Sequence, residues 1–134
     1  MNVDVTIHDG PLPAVAPWRI DGAGAVICFE GVVRPTEANQ PITGIRYETY
    51  DPMAEKELKR LANESLNRFD ILAVNVEHSR GFVPNYSGSF RLRIASAHRK
   101  AGLAAMDWYI DQMKQAVPIW KHAEPADPPQ KVSP

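Results

Sequence analysis

Basic residues at four places in this chain stand where an anion could be held. In VPIWKH, residues 117–122, Lys121 follows an apolar segment directly, and Lys114 lies seven residues earlier across Pro118. A lysine among apolar neighbours can serve as acid, base or nucleophile. Near a helix C-terminus or a chain exit it can equally be a solvated charge. In SAHRK, residues 96–100, His98, Arg99 and Lys100 crowd the junction of a strand and a helix. A helix N-terminus already carries unpaired N–H groups and partial positive charge. More positive charge there is unfavourable alone and becomes favourable with an anion bound. In GVVRP, residues 31–35, Arg34 follows Val33 at the end of an apolar run. A guanidinium there can grip a phosphate or carboxylate through two parallel hydrogen bonds, or can be an ordinary surface arginine. Spacing alone does not gather these side chains; the elements must.

VDVTIHDG (3–10) alternates Val3, Val5 and Ile7 with polar residues and predicts a half-buried strand. Prolines 11, 13 and 17 make the next stretch a loop. GAGAVICFEGVVR (22–34) is a continuous apolar run and predicts a central strand, with Cys28 a small buried hydrophobe. Residues 34–44 read as a polar loop and 44–51 as a strand. Asp51 and Pro52 predict an N-cap followed by proline at the first helical position, opening an amphipathic helix that ends at Asp70. Residues 71–81 and 89–98 predict two further strands. A second helix begins near Arg99, with Leu103, Met106, Ile110, Met113 and Val117 as its buried stripe, and stops at Pro118. IWKHAE reads as a short last strand, on which Lys121 shares a face with Ile119 and opposes Trp120. The expected organisation is one domain over 1–124 with a poorly ordered proline-rich tail over 125–134. Strands outnumber helices and the helices are widely separated, so the class is α+β with a mixed or mostly antiparallel sheet and two main helices.

The 134 residues are 44% hydrophobic and 23% charged, with a formal net charge of −1. That balance argues against a general nucleic-acid or membrane-surface binder, although Arg91 and Arg93 share one strand face. No stretch reaches membrane-spanning length and the N-terminus lacks a leader pattern, so reducing cytoplasm is the expected compartment. His8, His78 and His122 are scattered without metal-ligand spacing, and no phosphate-loop, dinucleotide or nucleophile-elbow motif occurs.

Four segments, GAVICFEGVVR, RYETYDPMAEKELKRLANES, IASAHRKAGLAAMDWYIDQMK and VPIWK, together resemble the large, catalytic subunit family of molybdopterin synthase over about residues 22–121. The resemblance implies an α/β-hammerhead-like fold. It implies insertion of two sulfurs into cyclic pyranopterin monophosphate to form the molybdopterin dithiolene, with no cofactor and no metal. The implied partners are a ubiquitin-like small subunit bearing a C-terminal Gly-Gly thiocarboxylate and a second large subunit, giving a homodimer within a heterotetramer. Carried over by motif, Arg34, His98 and Arg99, with Val33 and His122 beside them, would bind substrate, and Lys114 and Lys121 would be catalytic. The chain departs from the family pattern after PIWK, where His122 and Ala123 precede Glu124, and in the tail PADPPQKVSP. The alternative is a non-catalytic homologue that binds a phosphorylated pterin or the small subunit.

Overall fold

A computed structural model describes residues 2–126. Nine elements follow in chain order: β1 (Val3–Asp9), β2 (Ala25–Val32), β3 (Thr36–Glu37), β4 (Gln40–Thr49), α1 (Met53–Arg68), β5 (Ala73–Pro84), β6 (Gly88–Ser96), α2 (Arg99–Ala116) and β7 (Ile119–Pro125). The sheet runs β2-β6-β5-β4-β3, with β1 parallel to β5 and β7 antiparallel to β4. This is the expected two-helix α+β class with a mostly antiparallel sheet.

The longest strand, β5, changes partners along its length. Residues 73–78 pair with β6 and 74–80 with β1, whereas 81–84 pair with β4. Gly81 stands at the changeover with φ +87°, a conformation that side chains with a Cβ rarely adopt. Two cores follow from this division. Leu58, Leu61, Val74, Val76, Leu92, Ile94 and Tyr109 bury the helices against one face of β1, β5 and β6. Val33, Ile42, Ile45, Tyr47 and Val83 fill the smaller core, and Ile119 packs against both.

The opposite face of β5 and β6 is polar yet enclosed. Arg91 and Arg93, the pair that suggested nucleic-acid contact, are buried at 3% and 7% exposure. Arg91 donates to Glu30, Glu77 and the Pro13 carbonyl. Arg93 donates to Asn75 and the Ala16 carbonyl and stacks on Trp18. The proline-broken segment 11–20 is therefore a strap clipped across the sheet, which removes both guanidinium groups from any external partner.

Several sequence expectations are corrected. The strand at 25–32 is an edge strand, paired on one side with β6, and Cys28 is exposed rather than buried. Its continuous apolar run covers both faces, but a helix covers only one. The stretch read as a loop at 34–44 is largely a hairpin, β3 to β4, turned by Ala38 and Asn39 at φ 49° and 63°. Neither turn residue is glycine, so the usual sequence signal is missing. Asp51 is not the helix cap: Pro52 holds that position without a side-chain bond, and Asp51 instead pairs with Arg80 and accepts from Thr49. In α2 Met106 is buried and Ile110, Met113 and Val117 pack against the core as expected, but Leu103 is 51% exposed, and Gly102, Ala105 and Tyr109 complete the buried face. The small residues mark the buried stripe because the helix lies close on the sheet. A Cβ on Gly102 would stand 2.7 Å from Ile27 Cδ1 and 2.8 Å from Ser96 Oγ. Pro125 closes β7 and the Ala126 amide donates to Pro41, so the ordered chain passes the expected boundary at 124. Residues 127–134 of the predicted tail lie outside the described residues.

Candidate active site

Where the two cores meet, a cavity of about 490 Å³ opens between β2, β4, β5 and the end of α2. Three of the basic residues expected from sequence line it: Arg34, Lys114 and Lys121. Each arrives on a different element. Arg34 lies two residues past β2, and Val33 before it is buried and pinned by backbone bonds to Ser87 and Tyr86, at 3.0 and 2.7 Å. Lys114 occupies the last turn of α2, which stops when the Val117 amide bonds back to Met113 ahead of Pro118. Lys121 sits on β7 directly opposite Tyr47 of β4. Because alternate residues of a strand face opposite ways, Lys121 follows Ile119 inward, as the alternation predicts.

The cavity also holds groups that the motif reading passed over. Tyr47 and His78 line it, as do Ser89, Phe90 and Met113. The Tyr47 hydroxyl donates to Ser89 Oγ at 2.8 Å, and burial raises its pKa above the ordinary phenol value. His78 is 5% exposed. Burial lowers its pKa to about 4, and the nearby Lys121 charge adds to that shift. A smaller adjoining cavity of about 190 Å³ shares Tyr47, His78, Met113, Lys114 and Lys121. A signal for His78 existed in the sequence, since it continues the inward phase of Val74 and Val76. Glu37 on the hairpin is the one carboxylate lining the main cavity among the described residues. The ion pairs among those residues are made by other groups, so Arg34, Lys114 and Lys121 face the cavity unneutralised.

Three sequence expectations do not converge here. His98 and Arg99 are exposed at the N-terminus of α2, and Lys114 is at its C-terminus. Lys114 is fifteen helical steps beyond Arg99, roughly 22 Å at 1.5 Å per residue, so neither His98 nor Arg99 reaches this cavity within one chain. His122 points to the other face of β7, bonds to Glu48 at 3.1 Å, and borders an outer groove with Arg46 and Arg80.

A cavity with three uncompensated cations, an apolar wall and a neutral imidazole suits an anionic organic substrate. The family model described as MoaE protein matches residues 12–116. The chain belongs to the MoaE family of molybdopterin synthase catalytic subunits. A MoaE relative from Thermoplasma volcanium, named molybdopterin synthase catalytic subunit, is 36% identical over 120 residues, covering 89% of this chain and 88% of the relative. A relative of the same name from Dictyostelium discoideum is 39% identical over 75% of this chain and 65% of its own length. The Rattus norvegicus relative is 37% identical over 73% of this chain, which spans about half, 49%, of that protein. Among solved structures, molybdopterin synthase from Staphylococcus aureus superposes with a TM-score of 0.79 at 26% identity, over 93% of this chain and 92% of that one. The complex of subunits 1 and 2 of molybdopterin-converting factor from Helicobacter pylori shares the MoaE fold, with a TM-score of 0.70 at 22% identity over 92% and 90% of the two chains. No helix among the described residues is long and apolar enough to cross a membrane.

Proposed function

We propose that this chain transfers two sulfurs to cyclic pyranopterin monophosphate, one from each of two thiocarboxylated, ubiquitin-like small subunits, forming the molybdopterin dithiolene in the cytoplasm. The observation that carries the reading is the meeting of Arg34, Lys114 and Lys121, from three separate elements, on one cavity. Substrate phosphate and donor thiocarboxylate are both anions, as is the carboxylate left when sulfur departs. Fixed cations offset their mutual repulsion and stabilise charge that develops during transfer. Arg34 is assigned to anion binding, beside Val33, whose buried backbone fixes it. Lys114 and Lys121 are assigned to proton transfer and charge stabilisation at the reacting carbons, with Lys121 as the acid or base.

His98 and Arg99 keep their anion-binding role only if a second copy of the chain brings its α2 N-terminus to the cavity. The homodimer within a heterotetramer supplies that route. His122 leaves the assigned set, because its side chain faces the outer groove.

The test mixes purified protein with thiocarboxylated small subunit and the cyclic precursor, and follows product. Wild-type protein forms molybdopterin, and Lys121→Ala loses at least about a hundredfold in rate, the usual contribution of a positioned acid or base, while still binding the small subunit. Full activity in Lys121→Ala removes Lys121 from the mechanism. No product from wild-type protein refutes the assignment.

A further inference from the structure

His78 is a buried ionisable group of the cavity to which sulfur transfer assigns no task. Its place is fixed from three sides. The Tyr47 ring meets it edge-on with centroids 5.3 Å apart, and Phe90 lies tilted against it at 5.8 Å. Its Nδ1 lies 2.8 Å from the Ser79 carbonyl oxygen. A carbonyl only accepts, so Nδ1 carries the proton and Nε2 presents a lone pair on the other edge of the ring.

Lys121 is the cation nearest to this arrangement in register. It stands opposite Tyr47 in the β4–β7 ladder, and directly opposed residues project to the same face. Lys121 and His78 therefore flank the same tyrosine ring, and both line the larger and the smaller cavity. The titratable groups around the imidazole are Tyr47 from β4, Lys121 from β7, Lys114 from α2, and Arg34 and Glu37 at the rim. Tyr47 already donates to Ser89. The imidazole is thus a neutral acceptor set among cations, and its low protonation keeps it from repelling them.

We propose that His78 is a positioning residue for Lys121: the two side chains share no hydrogen bond in this structure, and a turn of the flexible lysine stem brings one ammonium N–H to Nε2, which accepts it and leaves the others aimed at anions in the cavity. A lysine on four flexible carbons has no preferred direction of its own, and small errors in placing a reacting group cost rate steeply. This inference rests on the sulfur-transfer reading of the cavity.

Two experiments test it. In protein labelled with ¹⁵N-histidine, without substrate or partner, His78 shows protonated Nδ1 and unprotonated Nε2, and the Nε2 resonance shifts on Lys121→Met. A protonated Nε2, or a resonance indifferent to that change, overturns the proposal. In the sulfur-transfer assay, His78→Met fills the space without a comparable acceptor and lowers kcat about tenfold, the value of one hydrogen bond to a charged group, with KM for the precursor nearly constant. His78→Gln places an amide oxygen near the Nε2 position and recovers most of that loss at equal melting temperature. Equal kcat in folded wild-type, Met and Gln proteins overturns the proposal. Should His78→Met not fold, the ¹⁵N comparison decides alone. A wild-type protein that makes no product defeats the sulfur-transfer reading, and the ¹⁵N comparison then still decides whether His78 holds Lys121.

Discussion

Replacing Arg91 by methionine keeps much of the apolar stem and withdraws one charge from a nearly enclosed network. The Arg91 side chain is 4% exposed and holds Glu77, 12% exposed, at 2.6 Å and Glu30, 39% exposed, at 3.1 Å. Its third bond, to the Pro13 carbonyl at 2.8 Å, clips the strap over residues 11–20 to the sheet. Breaking a buried pair from one side costs about 3–5 kcal/mol, because the other charge stays behind. Glu30 can regain water and Glu77 keeps its bond from His8, so the lower end, about 3 kcal/mol, is expected. An unfolding entropy of about 2.1 cal/mol/K per residue over 134 residues makes this a fall in Tm of about 11 °C. The pH dependence fixes the cause. Burial alone would raise the Glu77 pKa, but hydrogen bonds from Arg91 and His8 outweigh it and hold the carboxyl below its ordinary value. A carboxyl depressed by folding contributes stability above its unfolded pKa and loses it as the pH falls through the folded one. Without Arg91 only the His8 part of that contribution remains, and protonating Glu77 relieves the undercompensated charge. The cost of Arg91→Met is therefore greatest at pH 7 and shrinks toward pH 4. Urea unfolding of both proteins across that range measures it. A loss below about 1 kcal/mol at pH 7, the scale of an exposed pair, or a loss independent of pH, refutes the argument.

Two further outcomes follow from the geometry. Gly102→Ala gains helix propensity of about 1 kcal/mol, yet its Cβ would press on Ile27 and Ser96; overpacking of about 1–3 kcal/mol wins, and calorimetry shows a lowered Tm. His122→Ala retains sulfur-transfer activity within about twofold, since a surface change away from packed groups costs little and its bond to Glu48 is exposed.

The elements were legible where one periodicity ruled. Phe90, Leu92 and Ile94 alternate with Arg91, Arg93 and Ala95, and the strand follows that alternation. Leu58, Leu61 and Ala62 mark the buried face of α1 at helical spacing. Legibility failed where burial comes from distant chain. Nothing near Cys28 says that β2 has one neighbour, and nothing near Arg91 says that a loop seventy-odd positions earlier covers it. The site was half legible for the same reason. Arg34, Lys114 and Lys121 were singled out by type and motif, and they converge. His98 and Arg99 belong to the same motif set, but a straight helix of 18 residues holds them away from Lys114. His78 continues the inward phase of Val74 and Val76, but alternation gives a polar residue no task until the cavity beside it is known.

Because β5 serves β1 and β6 along its first part and β4 along its last four residues, the two halves of the molecule share one continuous backbone. The two ladders use different residues of that strand, and the halves are coupled through its continuity and through Ile119, which packs against both cores. If that coupling is strong, amide exchange in β4 and in β6 reports a single opening event, and the gap between the α2 terminus and β7 keeps a fixed width.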